Sequence, residues 1–175
     1  MKSVAQLDSL TGLPNRLALD NYLDKLELSS QNGEKEYAIL YIDLDGFKNI
    51  NDTFGHHHGD MLLKEVGDKF KRCIRGNDFI SRFGGDEFVI ILNEIENIRQ
   101  IDIIGNRIIQ SIEGEIIIER DSLKVGCSIG VARWPTDNLI LIRYYGMRMK
   151  PFIRPKQMVK IKSFIITRDN SFPCM

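Results

Sequence analysis

Arg82-Phe83-Gly84-Gly85-Asp86-Glu87-Phe88 lies between two apolar, β-favouring runs, Phe79-Ile80 before it and Phe88-Val89-Ile90-Ile91-Leu92 after it. Strand, glycine pair and strand together read as a hairpin whose turn is Gly84-Gly85. Adjacent glycines tolerate positive φ at both central positions and leave no side chain over the bend, so a bulky anion can approach the backbone. Two acids follow at once. Carboxylates beside bare backbone suit a metal-bound phosphate. An ordinary hairpin with solvated acids has the same local sequence, so the choice rests on what the rest of the chain supplies.

Upstream, Tyr37-Ala38-Ile39-Leu40-Tyr41-Ile42 is almost continuously apolar, the pattern of a central strand buried on both faces, and it runs into Asp43-Leu44-Asp45-Gly46. An acid at the C-terminal end of such a strand, followed by a glycine loop, is a frequent place to hold a ligand. If this strand lies beside the hairpin, Asp43, Asp86 and Glu87 converge at one sheet edge. Hard oxygen ligands in small number suit one or two magnesium ions over a triphosphate. Two such ions steady both the attacking oxygen and the leaving pyrophosphate of an in-line displacement.

The remaining elements follow from periodicity. Leu17, Leu19, Tyr22, Leu23 and Leu26 predict a helix over about 14–28, behind the turn-rich Asp8-Ser9-Leu10-Thr11-Gly12-Leu13-Pro14-Asn15-Arg16. Residues 48–60 read as a polar run. Its consecutive His56, His57 and His58 cannot all face one ion from a helix, and no Cys or acid completes a tetrahedral set, so no histidine metal site is expected. Met61, Leu62, Val66 and Phe70 predict a helix to about Arg75, with Asp60 near its positive end. Isoleucines 98, 101, 104, 108 and 112 predict another over 95–112. Strands are expected at 115–119 and 124–132, around an Asp121-Ser122 turn. This order predicts an α+β sandwich of ferredoxin-like type, helices packed on a mainly antiparallel sheet.

A chain of 175 residues fits one domain. It has no 18-residue apolar run and no charged-then-apolar leader, which predicts no membrane segment and no export. Cys73, Cys127 and Cys174 are scattered, as expected of a reducing cytoplasm rather than a disulfide or zinc framework. The formal charge of zero conceals an asymmetry: residues 139–175 hold eight Lys/Arg against Asp169 alone, leaving 16 basic and 23 acidic residues of the 24 of each in the chain.

Four segments in order closely resemble the GGDEF family, the bacterial diguanylate cyclases: Asp8–Arg16, Tyr41-Ile42-Asp43-Leu44-Asp45-Gly46-Phe47-Lys48, Asn51-Asp52-Thr53-Phe54-Gly55-His56 with Gly59-Asp60, and Arg82–Phe88. Ser128-Ile129-Gly130-Val131-Ala132 with Pro135 resembles the family's later strand. The resemblance covers residues 8–135 and implies a palm-like nucleotidyl cyclase domain condensing two GTP into cyclic di-GMP and two pyrophosphates. It implies Asp43, Asp86 and Glu87 as catalytic residues, with Glu87 a metal ligand or an acceptor of the 3′-hydroxyl proton. Asp43, Asp86, Glu87 and the Leu44 carbonyl would ligate Mg2+ or Mn2+. Gly84, Gly85 and the backbone through Phe47 and Lys48 would cradle phosphates, while Asn51 and Asp60 would read guanine, an edge that adenine cannot imitate. A homodimer is implied when active, because each domain holds one GTP. Arg75 and Asp78 match the family's Arg-x-x-Asp product-inhibition site for cyclic di-GMP, with Arg107 a candidate for a partner domain's half. The competing reading is a non-catalytic module that binds cyclic di-GMP or GTP.

The resemblance stops past Asn138. There the family carries a helix resembling Ala-Asp-x-Ala-Met-Tyr-x-Ala-Lys-x-x-Gly-Arg/Lys-Asn, whereas Pro151 and Pro155 break any helix here. Codons for Met147–Ile161 can be chosen so that another frame spells Ala-Asp-Glu-Ala-Ile-Tyr-Gln-Ala-Lys-Thr-Asn-Gly-Lys-Asn. This predicts a frame change near residues 137–139: an incomplete domain over 1–138, then a basic tail over 139–175 in place of the last helix and strand. The lost phosphate contacts, each worth about 1.5–3 kcal/mol, predict weak or absent turnover with some metal and GTP binding retained. They also remove the tail as grounds for nucleic-acid binding.

Overall fold

A computed structural model of the protein describes residues 6–30 and 35–134. Its elements run α1 (Arg16–Ser30), β1 (Tyr37–Asp45), α2 (Phe47–Phe54), α3 (His56–Cys73), β2 (Phe79–Gly84), β3 (Glu87–Leu92), α4 (Ile98–Ile112), β4 (Ile116–Ile118), β5 (Asp121–Leu123) and β6 (Gly126–Trp134). The main sheet has the order β2-β3-β1-β6, every pairing antiparallel. Side-chain alternation explains why the apolar run forms β1. Ala38, Leu40, Ile42 and Leu44 enter a core shared with Leu62, Val66 and Phe70 of α3 and Ile104 and Ile108 of α4. Tyr37 and Ile39 face the other way, into a cluster with Leu19, Leu23 and Leu26 of α1. Helices therefore cover both faces, the α+β sandwich expected. Fully buried Phe70 and Phe88 meet edge to face, centroids 5.4 Å apart, and truncating either costs about 3–5 kcal/mol.

Three local expectations are corrected. The polar run over 48–60 is helical: Phe47 and Ile50 bury the inner side of α2, and α3 starts at His56 rather than near Met61. Gly46, at φ 83, makes the left-handed step out of β1 that lets α2 begin at once. Asp60 consequently lies in the second turn of α3, not at its positive end. Downstream, Asp121-Ser122 is no turn but part of β5, which pairs with β4 in a separate hairpin (Ile116↔Leu123, Ile118↔Asp121). The bend falls earlier, where Glu119 adopts φ 56 at a cost of about 1 kcal/mol. Ile116, Ile118 and Leu123 offset it by entering the core beneath α3 and α4. The tail expected at 139–175 lies outside the described residues.

Candidate functional site

The end of β1 and the β2–β3 hairpin meet in register. Asp43 stands opposite Glu87, and the Leu44 N–H donates to the Asp86 carbonyl at 3.2 Å. On its other side Asp43 faces Ser128 of β6. The two acids that begin 43 positions apart in the chain thus arrive at one corner of the sheet. The turn itself is displaced by one residue from the expected Gly84-Gly85. Gly84 closes β2 opposite Glu87, the register slips between Arg82 and Gly84, and Gly85-Asp86 make the bend, with Gly85 at φ 53. Both glycines are exposed, so the backbone beside Asp86 is open.

Negative charge accumulates at this corner. The Asp43 carboxyl is pushed up to about 6, first by the partial desolvation it meets at the otherwise exposed strand end and then by Asp86, Glu87 and Asp45. Glu87 is raised by burial and by Asp86, against the pull of Arg16. Asp45 is tied down: Ser128 Oγ lies 3.1 and 3.0 Å from its two oxygens. Among the described residues no three His, Cys, Asp or Glu side chains stand ready around one point. The carboxylates of Asp43 and of Asp86 or Glu87 are hard oxygen donors in the small number that magnesium would take. That ion takes few protein ligands and fills its octahedron with water and phosphate oxygens.

Sequence reasoning assigned no role to the residue that holds this corner in shape. Arg82 donates through Nε (3.0 Å) and an NH2 nitrogen (2.7 Å) to the Gly85 carbonyl, while NH1 reaches Asp8 Oδ1 at 3.0 Å. The Asp8 carboxylate also accepts from Thr11 N at 2.9 Å and Thr11 Oγ1 at 2.7 Å. Burial alone would raise the Asp8 acid, but the hydrogen bonds from Thr11 and Arg82 hold it below the usual range. The turn-rich N-terminal segment is therefore a strut for the glycine bend. Its one legible signal was the Asp8-x-x-Thr11 spacing, which permits a side-chain-capped turn.

The other expected residues divide into two groups. Phe47 and Lys48 follow Gly46 directly into the first turn of α2; Phe47 is buried, so what it can offer a phosphate is its backbone, and Lys48 is exposed. Asn51, further along α2, has a buried Oδ1 without a hydrogen-bond donor, and Asp60 is exposed on α3. In the first turn of α3, His57 Nε2 lies 3.3 Å from Glu119 Oε1 and His58 Nε2 3.0 Å from Asp121 Oδ2, contacts that tie the β4–β5 hairpin to the helix. The second group is remote, at the far end of α3, a helix about 27 Å long. There the Asp78 side chain is fully buried and accepts from Arg75 N (2.9 Å) and Asn93 N (3.0 Å). Asp78 thus shapes the turn that presents a half-exposed Arg75. Arg107 adjoins them, donating to the Cys73 carbonyl at 3.2 Å.

Comparison with known proteins agrees with this geometry. Residues 5–143 match the family described as "Diguanylate cyclase, GGDEF domain". Diguanylate cyclase DgcP of Escherichia coli is 40% identical over 125 residues, 71% of this chain and 36% of that protein. The bifunctional diguanylate cyclase/cyclic di-GMP phosphodiesterase MucR of Pseudomonas aeruginosa is 38% identical over 130 residues, 74% of this chain and 19% of its own. The cyclic di-GMP phosphodiesterase NbdA of the same species is 36% identical over 138 residues, covering 78% and 17%. The chain spans well under half the length of each. Among solved structures, the GGDEF domain of TpbB (YfiN) from Pseudomonas aeruginosa superposes with TM-score 0.71 at 32% identity, covering 74% of this chain and 76% of that one. The GGDEF domain of DgcB from Caulobacter crescentus, in complex with c-di-GMP, gives 0.74 at 25% identity, covering 84% and 88%.

Proposed function

The chain belongs to the diguanylate cyclase GGDEF-domain family, and from that premise we propose that its acidic corner binds GTP with a divalent cation, for condensation of two GTP into cyclic di-GMP. The observation that carries the reading is the register pair Asp43–Glu87, with Asp86 beside it on an open glycine bend. Partial burial and the neighbouring charges of Asp86, Glu87 and Asp45 together push Asp43 up to about 6, and Arg16 offsets part of the charge on Glu87 alone; a cation with its nucleotide would supply the rest. Asp43, Asp86 or Glu87, and the Leu44 carbonyl would hold Mg2+ or Mn2+. When bound, that ion neutralises the triphosphate and eases in-line displacement at phosphorus. Glu87, with its raised proton affinity, is suited to take the proton of the 3′-hydroxyl as that oxygen attacks the α-phosphorus of the second GTP and the bond to pyrophosphate breaks. One corner holds one GTP, so turnover takes two chains face to face. The bare backbone at Gly84 and Gly85 and the start of α2 suit the phosphates, and Asn51 and Asp60 suit the guanine.

Incubation with GTP and magnesium, followed by chromatography for cyclic di-GMP, tests the reading. We expect magnesium-dependent GTP binding and slow turnover, both abolished in Asp86→Ala without unfolding. Absence of GTP binding in the intact chain would overturn it. Binding of cyclic di-GMP that needs Arg75, with no product from GTP, would instead make the domain a receptor.

A further inference from the structure

Gly59 closes the first turn of α3, buried, one residue before Asp60, and its backbone has no left-handed conformation to demand a glycine. A glycine there costs about 0.5–1 kcal/mol relative to alanine. What it makes room for is Asn51. An ideal Cβ built on Gly59 would stand 1.9 Å from Asn51 Oδ1 and 3.0 Å from its Cγ, with Phe47 Cζ at 3.2 Å. The Asn51 carboxamide thus packs directly on the bare Cα of Gly59. Its Oδ1 is buried and has no hydrogen-bond partner among the described residues. With no donor to hold that oxygen, shape is what fixes the amide.

We infer that Gly59 is a positioning residue for base selection: its missing side chain sets the Asn51 carboxamide at the angle from which it meets guanine. The inference rests on the reading of Asn51 as a base contact. Its energetic signature is distinctive. A methyl group at 59 collides with the far end of a side chain that turns about two bonds, so the amide yields and the helix does not. Folding tolerates the change, and helix propensity even favours it. Recognition does not tolerate it, because the displaced amide no longer meets its partner and a buried polar group stays unpaired.

The experiment is a double-mutant cycle on the full chain, with GTP and ATP titrated in the presence of magnesium and unfolding by urea followed in parallel. Gly59→Ala is expected to weaken GTP about tenfold, the loss of roughly one neutral hydrogen bond, and to narrow the preference for GTP over ATP. It should leave the urea midpoint equal or higher. On an Asn51→Ala background, Gly59→Ala should have no further effect on GTP. Equal losses on both backgrounds would overturn the positioning role, as would a Gly59→Ala chain that binds GTP normally while Asn51→Ala does not. If Asn51→Ala alone leaves GTP affinity unchanged, the base-contact reading falls first and this inference with it.

Discussion

Replacing Asp43 by asparagine should stabilise the protein without metal while destroying its response to metal. Asp43 sits opposite Glu87 and within reach of the charges of Asp86 and Asp45, and its acid is raised to about 6. A carboxyl whose affinity for protons is higher in the folded chain is most comfortable protonated. Its ionisation opposes folding, so the native state is favoured below about pH 4 and loses that advantage as pH rises through about 6. Moving a carboxyl from near 4 to about 6 corresponds to about 3 kcal/mol. Asp43 is exposed at the strand end, where solvent screens much of that, so about 1 kcal/mol is the realistic figure. Asparagine keeps the shape and removes the charge. In excess EDTA at neutral pH, Asp43→Asn should therefore melt about 3 °C higher than the parent, and the gain should vanish near pH 4. Adding magnesium with GTP should raise the parent's midpoint and leave that of the variant unmoved. A variant that melts lower than the parent in EDTA at neutral pH would mean that the carboxylate is held by a structural partner, and the crowded-charge argument would fail.

Asp8→Asn acts in the opposite sense. The Asp8 acid is held below its usual range, so its contribution is present at neutral pH and is lost as pH falls through the carboxylate range. The variant should lose about 1 kcal/mol by urea unfolding at neutral pH and nothing in acid; an equal loss in acid would refute the ion pair with Arg82. At the far end of α3, Arg75→Ala should weaken cyclic di-GMP about tenfold or more with an unchanged melting point, because its guanidinium is half exposed. Asp78→Ala should instead cost about 1–3 kcal/mol of stability, since both its oxygens serve backbone N–H groups; the reverse pattern would exchange their roles. We also propose that the tail arose by a frame change. Sequencing the coding DNA across codons 135–165 should show the helix motif in another frame, and a chain rebuilt in that frame should gain turnover; no motif in any frame would end the idea.

How much of this was legible in the sequence turns on which distances a chain can write down. The continuous run before Asp43 announced a doubly buried strand, and the strand parity put Asp43 on the face of Ile39, just as it put Glu87 on the face of Val89 and Ile91. What parity leaves open is register: slipping β3 by one residue would have sent Glu87 to the α3 side, and since β3 is apolar on both faces it is the particular packing, Phe88 on Phe70 and Val89 and Ile91 in the α1 cluster, that sets it. Helix α2 escaped notice because Phe47 and Ile50 are its only buried side chains among eight residues, too few to print a period on a run of Asn, Asp and Thr. The clamp of Asp8 on Arg82 joins residues 74 apart, and nothing in either neighbourhood names the other. The same holds for Gly59, whose reason for being glycine is a side chain on a different helix. The pieces that escaped the sequence are thus not scattered. Each fixes the orientation of a group that composition and spacing had already found, which is the information that binding uses and that folding alone does not require.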